Sequence, residues 1–202
     1  MSYNRFKGFL GAMIFVFMTQ SVFAQTEEIS KRFLQKADDV VKIVKSKILS
    51  ADDRNDQIIK VISPLFDFRL MAKLSLGKKR WRALSEEKKE EFTSLYVKRM
   101  KDSYSKKVDA YTDEKIVVRR SVKGKKNRVT LVTDLVGADD NTEIVYKYYH
   151  PKKQIANKDA WLIYDAVISG VSIIKTDKSQ FKEVLREHNI DVLMEKMRNT
   201  KK

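Results

Sequence analysis

A carboxylate set in an apolar strand pattern is the residue in this chain best placed to do chemistry. Asp165 follows Trp161, Ile163 and Tyr164 and precedes Val167. Withdrawal from water would raise its pKa and make it a base for a small hydrophobic substrate, as in an isomerase built on a cone-shaped α+β domain. The commoner use of such a group is structural: it accepts hydrogen bonds from backbone or a tyrosine hydroxyl, or pairs with an arginine.

Other reactive groupings are missing from the sequence. It contains no cysteine, hence no thiol nucleophile and no disulfide. It also lacks a G-x-S-x-G elbow, a phosphate-binding glycine loop and an H-E-x-x-H pair. The two histidines, His150 and His188, fall at an expected strand end and an expected helix end, each short of the ligand count a metal needs. The reading is therefore of no metal and no cofactor, with Asp165 as the single enzymatic alternative.

Charge is the next feature. The formal net charge is +15 over 202 residues, with basic runs at Lys78-Lys79-Arg80, Lys123 to Arg128 and Lys152-Lys153. Such runs suit nucleic acid, an anionic lipid surface or an acidic partner. The N-terminus selects among them. Arg5 and Lys7 precede an apolar run from Gly8 to Met18, and Val22-Phe23-Ala24 is a small-x-small cleavage site, so residues 1–24 read as a cleaved secretory signal. Export removes nucleic acid from consideration and leaves membrane or protein contact, with Lys78, Lys79 and Arg80 as the contact residues.

The elements that must position these groups follow from periodicity. Apolar residues recur three and four apart from Glu27 to Leu49, predicting a long amphipathic helix, and Ile58 to Ile62 predict a shorter run. From Ser63 to Trp81, Asp67 is placed to cap a helix whose apolar positions are Phe68, Met71, Ala72 and Leu76, and Gly77 is placed to end it. Ser85 begins another, with an aromatic-rich stripe of Phe92, Leu95, Tyr96, Met100, Tyr104, Val108 and Tyr111. Beyond Asp113 the period becomes two. Strands are predicted around Ile116–Val118, Val129–Leu135, Ile144–Tyr148 and Ala160–Ile174, the last bulged near Gly170. A capping-box-like start at Asp177 to Gln180 opens the closing helices, divided near Asn189. The fold class is α+β: an antiparallel twisted sheet of about four strands packed against several helices, one domain over residues 25–202. Helices closing over a curved sheet can enclose an apolar cavity, and such cavities take apolar ligands.

Pro64 to Ala72, Leu76-Gly77, Trp81 to Ser85, Phe92, Leu95-Tyr96, Tyr104, Tyr111, Val145-Tyr146, Trp161 to Asp165, Ile168 to Ser172 and Ser179 to Phe181 together resemble the MlaC, or toluene-tolerance, family. The resemblance implies a non-enzymatic periplasmic carrier with phospholipid as cargo. It further implies a monomer linking an outer-membrane lipoprotein complex to an inner-membrane ABC transporter with an MCE-type subunit, maintaining outer-membrane lipid asymmetry, with transient contact to an anionic membrane. A hopanoid carrier is a related alternative. On this reading the acyl tails pack against Phe68, Met71, Phe92, Leu95, Tyr96, Met100, Tyr104, Tyr146, Ile163, Tyr164 and Val167. Burial of tails is worth about 0.8 kcal/mol per methylene, which offsets extraction from a bilayer.

Overall fold

The structure, a computed structural model, describes residues 7–199 except 47, 110–112 and 139–140, with side chains from residue 25 onward and those of 104–109 also excepted. The described elements are α1 (Lys7–Val44), α2 (Ala51–Ile62), α3 (Phe68–Leu76), α4 (Lys78–Arg82), α5 (Glu86–Asp109), β1 (Lys115–Lys123), β2 (Arg128–Val136), β3 (Asn141–Tyr149), β4 (Leu162–Ile168), β5 (Val171–Ser172), α6 (Ile173–Glu187) and α7 (Ile190–Arg198). The class is α+β, as the sequence predicts, but the sheet has five strands in the order β1-β2-β3-β4-β5, all antiparallel.

The helix starts are set by short polar side chains that accept an otherwise unpartnered N–H. Ser50 accepts from Asp53 N at 3.1 Å, Asp67 from Leu70 N at 2.8 Å and Asn189 from Val192 N at 3.1 Å. Gly77 ends α3 with φ 88° and ψ 145°, a region that a Cβ makes costly. The basic run beyond it is itself a helical turn, α4, with Trp81 buried and Lys78, Lys79 and Arg80 exposed.

The predicted long last strand is corrected at two points. Ser169 and Gly170 both have positive φ, 48° and 80°, the requirement of a two-residue I′ turn, so Gly170 closes a hairpin between β4 and β5 rather than forming a bulge. Ser172 then accepts from Lys175 N at 3.2 Å, so α6 begins at Ile173, and Asp177 lies inside it. Bulges do occur, at Arg119 in β1 and at Tyr164 in β4.

Two apolar clusters hold the layers together. Phe68, Met71, Ala72 and Leu76 of α3 pack with Trp81, Phe92, Tyr96, Phe181 and the buried face of α7. Ile29 and Phe33 of α1, with Leu65, cover Val129, Leu131, Tyr148 and Ile163 on one face of the sheet. The segment before α3 is stitched to β4: Ile163 N donates to Leu65 O at 2.7 Å and Asp67 N to Ile163 O at 3.0 Å. That stitch fixes Phe66 and Phe68 beside the covered face. Of the aromatic stripe expected along α5, Tyr111 and the side chains of Tyr104 and Val108 lie outside the described residues.

Candidate lipid cavity

The sheet face covered by α1 continues toward the β2–β3 end, where α2 and α5 stand over it and the filling is incomplete. A cavity of about 340 Å³ lies there. Its helical wall is Ile58, Ile59 and Ile62 of α2, Phe66 and Phe68, Met100 of α5 and Ile173 of α6; its sheet wall is Leu135, Thr142, Ile144, Tyr146, Ala166 and Ile168. Asn55 and Lys101 are the polar residues at its edge besides Thr142, and Lys101 Nζ reaches Asp56 Oδ1 at 2.6 Å, tying α2 to α5. The sheet wall is a single pleat face, because Tyr146 pairs with Ala166 and Ile144 with Ile168. Ala166 is the small member of that face, and its missing side-chain volume is one reason the space stays open.

Of the residues expected to hold tails, Phe68, Met100 and Tyr146 line this cavity. Met71, Phe92 and Tyr96 are fully buried in the α3–α5–α6 cluster, with Leu95 packed against it. Ile163 sits in the cluster under α1. Val167 falls on the opposite sheet face from its neighbours Ala166 and Ile168, paired with Val145. Strand alternation alone would group Ile163 with Val167, but the bulge at Tyr164 shifts the count by one and puts Ile163 on the face of Ala166 instead. Tyr164 itself lies under the Arg128 guanidinium, 4.6 Å from ring centroid to Cζ, and edge-on to Tyr149. The Tyr104 side chain lies outside the described residues. The cavity residues that residue type did not single out include the isoleucines of α2 and, on the other walls, Phe66, Leu135, Ile144, Ala166, Ile168 and Ile173. The spacing of Ile58 to Ile62 marked only a buried helix face.

Asp165 is 4% exposed and fully engaged. It accepts from Ser172 Oγ at 2.9 and 3.0 Å, from Ile174 N at 3.2 Å and from Lys147 Nζ at 2.9 Å. It does not line the cavity. Among the described residues no group of three or more His, Asp or Glu is placed to hold a metal ion, and no helix is long and apolar enough to cross a membrane. No ion pair holds Lys78, Lys79 or Arg80 among the described residues.

Three phenols, two buried and one half-buried, give the structure a pH limit. Burial, with Asp177 beside it, pushes the Tyr96 hydroxyl well above its usual range. Burial likewise raises Tyr148, and burial with a hydrogen bond to Asp67 raises Tyr149. A raised folded-state pKa stabilises the fold below the unfolded value, about 10 for tyrosine, and that stability is lost as pH rises beyond it. Alkaline titration is therefore expected to show a cooperative loss of near-ultraviolet circular dichroism above about pH 10, with part of the tyrosinate absorbance rising in the same step. Non-cooperative ionisation of every tyrosine with the dichroism intact would contradict this burial.

Comparison with known proteins gives two findings. A family model described as MlaC protein matches residues 34–199. Among solved structures, the chain is similar to a phospholipid-binding protein from Ralstonia solanacearum, determined in complex with a phospholipid. The TM-score is 0.70 and the identity 14%, covering 83% of this chain and 93% of that one; at such identity the likeness is one of fold. No curated protein matches the sequence.

Proposed function

The chain belongs to the MlaC family, and from that premise and the chemistry of the cavity we propose that it is a periplasmic lipid carrier whose cargo tails occupy the space between α2, α5 and the sheet. The carrying observation is the apolar cavity itself, on a fold shared with a protein determined with a phospholipid bound. Residues 1–24 act as the export signal in this reading, and the mature chain is one domain. It moves phospholipid between an outer-membrane lipoprotein complex and an inner-membrane ABC transporter with an MCE-type subunit. Lys78, Lys79 and Arg80 supply a cationic contact on the outer surface of α4.

Across the cavity's helical wall, the Asp56–Lys101 pair that ties α2 to α5 is a surface pair of the kind worth about 0–1 kcal/mol, a weak restraint on any widening of the cavity as lipid loads. The reading is tested by purifying the protein from a periplasmic extract, extracting it with organic solvent and weighing the extract by mass spectrometry. Near-stoichiometric phospholipid is expected. A hopanoid in its place would change the cargo, and a lipid-free protein would end the carrier reading. The enzymatic alternative gains no support, because Asp165 is committed to three partners away from the cavity.

A further inference from the structure

Beside the apolar cavity lies a second space of different character. It measures about 420 Å³ and shares Met100, Ile168 and Ile173 with the first. Its remaining lining is Val171 and a polar set: Arg99, Ser103, Ser169, Thr176 and Asp177. An amphiphile whose tails fill the first space has its polar end at such a border.

Arg99 is the cation of this groove, and its guanidinium is held in place. Its Nη2 donates to Asp177 Oδ1 at 2.9 Å and to Gln180 Oε1 at 2.5 Å, and its Cζ lies 5.7 Å from the Phe181 ring centroid. Those bonds use one nitrogen of the three, so Nη1 and Nε keep donors for an anion. Asp177 faces the other way with its second oxygen, accepting from the Tyr96 hydroxyl at 2.8 Å, and its side chain is 8% exposed. Ser103, Ser169 and Thr176 are exposed and bring hydroxyls to the rim. A fixed guanidinium with surrounding hydroxyls is the donor set that phosphate oxygens require.

The geometry points to this groove as the headgroup site: the phosphodiester of the cargo lipid lies against Arg99 with Ser103 and Thr176 beside it, while the tails pass Met100 and Ile173 into the apolar cavity. The assignment rests on the carrier reading and specifies where the polar end of the cargo sits. It favours lipids with a phosphate over uncharged lipids with the same tails.

Delipidated full-length protein would be titrated in native mass spectrometry with phosphatidylglycerol, with diacylglycerol of the same tails and with glycerol 3-phosphate. The same series would be run on Thr176→Glu and Ser103→Glu, both at exposed positions where a carboxylate leaves the core untouched. The wild type should prefer phosphatidylglycerol to diacylglycerol. Each variant should lose about tenfold of that preference, as expected for one water-shielded like-charge contact, with the thermal melt unchanged. Equal affinity of the wild type for both lipids, or an unaltered preference in both variants, overturns the headgroup site and leaves the carrier standing. Glycerol 3-phosphate binding as tightly as the lipid would make the groove a free-phosphate site and overturn it too. Failure to take up any lipid overturns the carrier reading together with this one.

Discussion

Ala166→Phe is expected to empty the protein of lipid without unfolding it. Ala166 is 4% exposed and faces the cavity from β4, opposite Tyr146 in the register. A ring there projects into the space that Phe68, Ile144 and Tyr146 also line and occupies room the tails would take. Lipid recovered per protein should fall by at least about tenfold, which corresponds to about 1.4 kcal/mol of lost affinity. Stability supplies the internal control. Forcing a larger side chain into a filled core costs about 1–3 kcal/mol, whereas a ring entering open space should change the unfolding free energy by less than about 1 kcal/mol. Denaturant melts beside lipid mass spectrometry read both. A variant that keeps its lipid, or that loses stability as an overpacked core does, would show that the cavity is not where the cargo lies.

The second large effect is on stability and belongs to Asp165. Asp165→Ala removes the acceptor of Ser172 Oγ, Ile174 N and Lys147 Nζ at once. Ser172 is buried, while the Lys147 side chain is 34% exposed and can be rehydrated. Stranding buried donors costs about 1–3 kcal/mol each, and breaking a wholly buried ion pair about 3–5 kcal/mol. With one partner able to reach water, a total near 3 kcal/mol follows, which for a domain of this size lowers the melting temperature by about 6–12 °C. Because Ser172 also caps α6, the loss should be concentrated at the β5–α6 junction and show as faster amide exchange there. Lipid content should be unchanged in the surviving folded protein. Loss of a catalytic turnover with the melting temperature intact would instead make Asp165 the base that its strand setting suggests.

Much of the architecture could be read from residue order. Period and capping chemistry are local properties, carried by side chains within one or two turns of each other, and so Asp67, Gly77, Ser85 and Asn189 mark their helix boundaries without reference to the rest of the chain. The antiparallel meander is local as well, since each strand pairs with the next one along the chain. The resemblance carried by the stretch from Pro64 to Phe181 pointed to the family that the match over residues 34–199 establishes.

What lies on which side of the sheet was not local. A single extra residue at Tyr164 reverses the face of everything beyond it, and nothing in the run Ile163-Tyr164-Asp165-Ala166 distinguishes a bulge from a regular strand. A helix stripe likewise shows that a face is buried without showing what buries it. Met71, Phe92 and Tyr96 lie wholly in the solid core, while Phe68 and Met100 pack on that core and also line the cavity, although all five have the same apolar character. The sequence by itself determined the elements, their order and the family, because these depend on neighbours along the chain. Only the tertiary structure decided which apolar residues face one another and which face empty space, because a cavity is defined by atoms that are absent between distant segments.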